Sequence, residues 1–382
     1  MKKILSYTLL SICILFCTNN QTIAQAEKAE AEIQSIMQSY PVVGLSVAVV
    51  KDNKIIYNQS FGFKDVEKQL SLTKQSIFRI ASISKSFTTT AIMQLVAKQQ
   101  ISLDQDLSEL VGFKVRNPKF PNTVITLKMA LSHRSSINDS EGYFSLDAID
   151  PAKNPNFAKC YNAYEPDKGY MYCNLNYNLA GSILEKVTGI RFDKYIKQQI
   201  LDPLGLYGGY NVNALDSNLI AKIYEFNKET QGFTLSPNAY APRTEEINNY
   251  TIGRTTPIFS PTGGMKISAN DLAKYMIMHS RLGKYKGGRM MPKKLSKQMQ
   301  TIISEEEGYG MALETTTKLI PGKTMIGHTG SAYGLYSLMF FEPKEKIGFV
   351  VISNGCDTKT INGFNAVLHQ TVNSLYKQHH KH

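Results

Sequence analysis

Three strings in this 382-residue chain carry residues that can do chemistry together: Ser82-Ile83-Ser84-Lys85, Tyr172-Cys173-Asn174 and His328-Thr329-Gly330, in that order. On a helix, residues three apart are neighbours, so the Lys85 amine reaches the Ser82 hydroxyl and can help remove its proton, making a nucleophile. Ser-x-x-Lys alone is uninformative, because it recurs at Ser71–Lys74 and Ser374–Lys377. Only Ser82 stands before a long run free of Pro and Gly, in which Phe87, Ala91, Ile92, Leu95 and Val96 mark a buried helix face. Ser82 is therefore expected at a helix start, where free backbone N–H groups and the positive end of the dipole stabilise a developing negative charge. A plain N-cap serine would occupy the same position, so the other two strings must decide.

Tyr172-Cys173-Asn174 is the only Tyr-x-Asn in a chain with 21 tyrosines. Leu175, Leu179, Ile183, Leu184 and Val187 follow at helical spacing, which places the string in a loop entering a helix. Such a loop holds a phenol and a carboxamide side by side. Tyr172 would trade protons with nucleophile and leaving group, and Asn174 would bind an acyl-side amide. His328-Thr329-Gly330 falls between two strand-like runs, Thr324 to Gly327 and Leu335 to Phe341. A glycine there permits close backbone approach, so a substrate can lie along the strand edge. The N–H of Ser331 would join that of Ser82 as a two-donor oxyanion site.

With these motifs together, the chain resembles the penicillin-recognising serine hydrolases, specifically the class C β-lactamase and DD-peptidase-like branch. Phe78-Arg79-Ile80-Ala81-Ser82 with Lys85-Ser86-Phe87-Thr88, Ser260-Pro261-Thr262-Gly263-Gly264, Glu342-Pro343 and Ser353-Asn354-Gly355 extend the resemblance along nearly the whole chain after its first segment. It implies that Ser82 is the acylated nucleophile, Lys85 its activating partner, Tyr172 the general acid/base, Asn174 a substrate-amide ligand, and His328, Thr329, Gly330 and Ser331 the substrate-binding edge. It also implies no cofactor, and an acyl substrate that is a small molecule or peptide, including one derived from the cell wall. His328 stands where lactamases usually carry Lys. A neutral imidazole attracts a substrate carboxylate less than an ammonium does, so a DD-carboxypeptidase- or esterase-like hydrolase is expected more than an efficient lactamase. His133-Arg134-Ser135-Ser136-Ile137 and Asp167 after Pro166 also depart from the family pattern. Transfer of the acyl group to a small-molecule alcohol, and a sensor that stays acylated, use the same first step.

The remaining sequence frames this site. Met1-Lys2-Lys3, the apolar run Ile4 to Cys17 and the small residues of Thr22-Ile23-Ala24 read as an export signal over 1–24, with a mature chain from Gln25 in the periplasm or secreted. Phe16 is bulky where a lipidation signal before Cys17 wants a small residue. Cys160, Cys173 and Cys356 remain, and the readings open for them are a Cys160–Cys173 bridge or three reduced thiols. A formal charge of +12 favours anionic surfaces or acidic substrates, but the lysines are scattered and lack the aromatic interleaving of a nucleic-acid module. No His-x-x-x-His, Cys-x-x-Cys, Gly-x-Ser-x-Gly or phosphate loop occurs, so no metal and no nucleotide are expected. No later stretch is apolar enough to span a membrane.

Ala26 to Gln38 reads as an amphipathic helix. Leu45, Val47 and Val49 alternate in a strand, Asp52-Asn53 turns, and Ile55 to Phe63 returns. The chain from Ser82 to about Gln300 reads as mainly helical, with long polar loops at Asp139 to Gly169 and Asn227 to Gly264. Leu335 to Phe341, a turn at Pro343 to Lys346, Ile347 to Ser353, a closing helix from about Thr360 to Tyr376 and a mobile tail from Lys377 to His382 complete it. The expected fold is α+β: one antiparallel sheet built from both ends of the chain, flanked by helices, with an inserted helical lobe. The sheet lobe is expected over about 25–81 and 302–382 and the helical lobe over about 82–301. The three strings would meet at the seam.

Overall fold

The alternating run after Pro41 forms strand β1 (Val42–Lys51), and the Asp52-Asn53 turn returns it as β2 (Lys54–Asp65). Both turn residues have positive φ, 48° and 64°, which Asp and Asn tolerate and which suits the twist of a hairpin. The structure is a computed structural model that describes residues 25–380; the expected export signal at 1–24 and the last two residues lie outside the described residues.

From the other end of the chain come β3 (Met325–Ala332), β4 (Leu335–Glu342) and β5 (Ile347–Cys356). Strand β5 pairs antiparallel with β1, so the two ends of the sequence close one seven-stranded antiparallel sheet. Its order is Glu314–Thr316, β3, β4, β5, β1, β2, Leu70–Ser71. The fold is the expected α+β arrangement.

Helices α1 (25–39), α4 (Ala269–Ser280) and α5 (Ala366–His379) pack on this sheet, and α2 (Ser84–Ala97) and α3 (Asn174–Thr188) pack against each other. Because side chains alternate along a strand, Leu45, Val47 and Val49 of β1 meet Ile33 of α1 and Val372 and Leu375 of α5. Ala48 and Val50 point the other way, into a second core with Leu272 and Met276 of α4. Burial on both faces explains why β1 reads as a nearly unbroken apolar run.

Helix α2 is buried all round rather than on one face: Lys85, Ser86, Thr88, Thr89 and Thr90 have no solvent exposure. Buried hydroxyls need partners. Thr88 donates to the Pro261 carbonyl at 2.7 Å, Ser86 to the Ile83 carbonyl at 2.7 Å, and Thr90 shares a 2.9 Å bond with the Tyr275 hydroxyl.

Several local expectations are corrected. The closing helix starts at Ala366, because Thr360–Ile361 and Phe364–Asn365 form a short hairpin and the Asn365 side chain caps the N–H groups of Val367 and Leu368. The helix then continues to His379, and the Tyr376 and His380 rings stack at 4.7 Å, so the described part of the tail is ordered packing. The stretch from Asn227 onward opens with a hairpin, Tyr224–Asn227 against Gly232–Leu235. Of the two readings open for the cysteines, the structure has the second: Cys160, Cys173 and Cys356 are free, buried thiols. Cys173 donates to Asp139 at 3.2 Å and Cys160 to the Ala148 carbonyl at 3.3 Å.

His279 of α4 is fully buried against Tyr275, and neither ring nitrogen has a hydrogen-bond partner among the described residues. Burial drives its pKa down to about 3 and that of His328 to about 4. Between these values and the ordinary 6.5 the unfolded chain binds protons that the folded one refuses, so stability is full above 6.5 and falls with acidification. Each such histidine adds a slope of about 1.4 kcal/mol per pH unit. Melting temperature is expected to drop steeply from pH 6.5 to 4, and His279→Phe is expected to make that fall shallower. An unchanged slope in the variant would remove His279 from the account.

Candidate active site

Ser82 lies in a single 3-10 turn, Ala81–Ile83, that runs straight into α2. Ala81 holds the left-handed region at φ 44°, an unfavourable conformation for a residue with a Cβ. The surroundings over-determine it. Ile80 donates its N–H to the Met265 carbonyl at 3.0 Å and accepts from the Ser337 hydroxyl at 2.9 Å. Gly330 of β3 packs so closely that a Cβ there would sit 2.2 Å from the Ile80 carbonyl oxygen and 3.1 Å from the Ser82 nitrogen. The third string thus touches the first, and Ser331 follows at the exposed strand edge.

Lys85 is one turn into α2 and wholly buried. Its Nζ lies 3.1 Å from Ser82 Oγ, 2.9 Å from Asn174 Oδ1 and 3.1 Å from the Thr262 carbonyl oxygen. The Tyr172 ring centroid is 4.6 Å away and that of Tyr177 5.5 Å. Hydroxyl, amine, phenol and carboxamide are therefore brought together, although 89 residues separate Lys85 from Asn174. Burial lowers the Lys85 pKa to about 7, and the charge of Asp139 opposes that fall.

Tyr172 is 36% exposed, with its ring tilted over His133 at 4.4 Å. Desolvation in this packing raises its pKa well above 10, and a hydrogen bond with Ser82 pulls the other way. The phenol is thus a protonated group at neutral pH. His328 is 4% exposed, with Nε2 3.2 Å from the Tyr309 hydroxyl and Nδ1 beside the Thr329 carbonyl. A carbonyl only accepts, so Nδ1 carries the proton and Nε2 accepts from Tyr309. Burial, then the charge of Lys85, keeps the ring neutral. Both ring nitrogens are engaged inside the protein, which leaves Thr329 and Ser331 as the more exposed members of that edge.

Asp139 was not singled out by the sequence, and it organises the second string. One carboxylate oxygen accepts from the Asn174 backbone N–H at 2.9 Å and from Asn174 Nδ2 at 3.0 Å; the other accepts from the Leu175 N–H at 2.9 Å. A negative charge on the first N–H groups of α3 suits the helix dipole. It also turns the Asn174 carboxamide so that Oδ1 faces Lys85 and accepts from Thr262 Oγ1 at 2.7 Å. Thr262 and Tyr309 were missed as well. Thr262 lies within the Ser260–Gly264 string, whereas nothing in the local sequence marks Tyr309. His133, quoted only as part of a variant motif, is fully buried and accepts from the Cys173 N–H at 3.1 Å, which fixes the loop that carries Tyr172. Among the described residues no group of three or more His, Cys, Asp and Glu could hold a metal ion, and no helix is long and apolar enough to cross a membrane.

Comparison with known proteins gives the same fold. The family model described as Beta-lactamase matches residues 29–368. Protein flp of Staphylococcus aureus (strain N315) is 26% identical over 330 residues, covering 84% of this chain and 61% of that protein, so the chain spans less than two thirds of that relative's length. The octameric penicillin-binding protein homologue from Pyrococcus abyssi superposes with a TM-score of 0.72 at 28% identity, covering 93% of this chain and 78% of that one. D-amino acid amidase from Ochrobactrum anthropi SV3 shares the fold, with a TM-score of 0.72 at 19% identity over 93% of this chain and 99% of that one.

Proposed function

Because the chain belongs to the beta-lactamase family of penicillin-binding-protein-like serine hydrolases, we propose that it is an exported hydrolase that forms an acyl-enzyme on Ser82 and cleaves an amide or ester. The observation that carries this reading is the partner set of Lys85 Nζ. Asn174 Oδ1 and the Thr262 carbonyl can only accept, so a neutral amine gives its two protons to them and presents its lone pair to the third partner, the Ser82 hydroxyl. A pKa near 7 makes that neutral form abundant at physiological pH.

In this mechanism Ser82 Oγ attacks the substrate carbonyl carbon as Lys85 takes its proton. The N–H groups of Ser82 and Ser331 receive the oxyanion, and Asn174 and the β3 edge hold the acyl side. Tyr172, protonated at rest, passes a proton to the leaving group and recovers it from the water that releases the acyl group, while Lys85 returns its proton to Ser82 Oγ as the acyl bond breaks. The neutral, internally satisfied His328 offers no charge to a substrate carboxylate.

Turnover of short esters and amides is therefore expected to exceed that of cephalosporins and of peptides ending in D-Ala-D-Ala. A kinetic panel across these substrates, run on the wild type and Ser82→Ala, checks this. Activity that survives in Ser82→Ala would reject the acyl-enzyme, and a preference for the carboxylate-bearing substrates would reject the reading of His328.

A further inference from the structure

Next to the nucleophile turn the fold places two cations face to face. Phe78–Arg79 pairs antiparallel with Lys266–Ile267, and the register sets Arg79 directly opposite Lys266. Like charges opposed across a strand pair destabilise it. Neither is ion-paired among the described residues. Arg79 Nε donates to the Gly263 carbonyl at 2.8 Å with its guanidinium 5.0 Å from the Tyr333 ring centroid, and Lys266 Nζ donates to the Tyr210 carbonyl at 2.8 Å. Lys266 is only 5% exposed. Both line a cavity of about 320 Å³ whose rim carries Arg243. The acid of that rim, Glu246, is already bound to Arg243 at 3.0 Å.

We propose that this cavity is an anion subsite, which holds a carboxylate or phosphate group borne on the acyl part of the substrate. Its position supports the assignment. Arg79 precedes Ser82 by three residues, and Ser260 and Gly264 of the wall flank Thr262, whose carbonyl holds Lys85. The opposite sign lies elsewhere: a separate cavity at Thr329 is lined by Glu305, Glu306, Glu307 and Glu314. An acyl chain ending in an anion is thus drawn toward Arg79 and kept from the Thr329 edge. Burial, and the charges of Arg79 and Arg243, push Lys266 well below its ordinary pKa.

The assignment to the acyl group rests on the acyl-enzyme reading above; the anion site itself does not. Two arms separate them. Calorimetry of sulfate binding to Ser82→Ala is expected to show one saturable site, lost in Ser82→Ala carrying Lys266→Met. The rim variant Arg243→Glu, on a half-exposed side chain, is expected to weaken it without disturbing the fold. Matched esters of one leaving group, with acyl chains ending in methyl, carboxylate or phosphate, form the second arm. The preferred anion is expected to gain about tenfold in kcat/KM over the methyl ester, the effect of one charged hydrogen bond. Lys266→Met is expected to erase that gain and retain turnover of the methyl ester. Absence of sulfate binding overturns the site. Sulfate binding without any preference among the esters overturns its role toward the acyl group. Failure of every ester to acylate Ser82, with sulfate still bound, rejects the acyl-enzyme reading and leaves the anion site standing.

Discussion

Lys85→Met is expected to slow acylation of Ser82 by about 10³-fold, within the range that a positioned general base contributes. Lys85→Arg is expected to recover none of it, because a guanidinium stays charged at any working pH and has no lone pair to offer. The same argument fixes the pH dependence. Below the Lys85 pKa of about 7 the amine is protonated and cannot accept the Ser82 proton, so kcat/KM rises with pH through that value and levels above it. Were a Tyr172 phenolate the base, the rising limb would lie above pH 10, because burial holds that phenol protonated. A limb there, or full activity in Lys85→Arg, would transfer the role to another group. Thermal melts of both variants keep the test clean, since Met leaves Asn174 Oδ1 and the Thr262 carbonyl without the donor they now share.

Gly330→Ala is expected to cost about 10²-fold in kcat/KM, although the residue carries no side chain and is remote in sequence from the nucleophile. A Cβ would meet the Ile80 carbonyl oxygen at 2.2 Å and the Ser337 hydroxyl at 2.4 Å. These two atoms are hydrogen-bonded to each other and brace the strained Ala81-Ser82 turn. The added methyl moves the turn or the strand by a fraction of an ångström up to about 1 Å, and a 1 Å misplacement of reacting atoms costs on that order. Cooperative melting should persist, because the sheet pairs on either side are unaffected. Wild-type rates in Gly330→Ala would show that the β3 edge does not set the position of Ser82.

Legibility in the sequence followed locality. Helix α2 was visible from Phe87 to Val96 because its period is local, and β1 and β2 from alternation around Asp52-Asn53. The motif strings were distinctive enough to place Ser82, Lys85, Tyr172 and Asn174 in one site before any contact was known. What stayed hidden was fixed by tertiary partners. Asp139 gains its part only when the N-terminus of α3 meets it. Tyr309 matters through the His328 ring, and the charge opposition of Arg79 and Lys266 exists only in the strand register. The start of the closing helix was misplaced because a two-residue hairpin and an Asn365 cap leave no periodic trace. Burial of α2 on every side was unreadable for the same reason: Thr88 and Thr90 look solvent-facing until Pro261 and Tyr275 supply their partners.

In the proposed mechanism one hydroxyl, activated by a buried neutral amine, becomes covalently acylated. Mass spectrometry of the protein treated with a fluorophosphonate probe at pH 8 tests it most directly. A single adduct is predicted, mapping to the peptide that bears Ser82, absent in Ser82→Ala and far slower to form in Lys85→Met. An adduct on any other residue, or labelling at wild-type rate without the Lys85 amine, would contradict it.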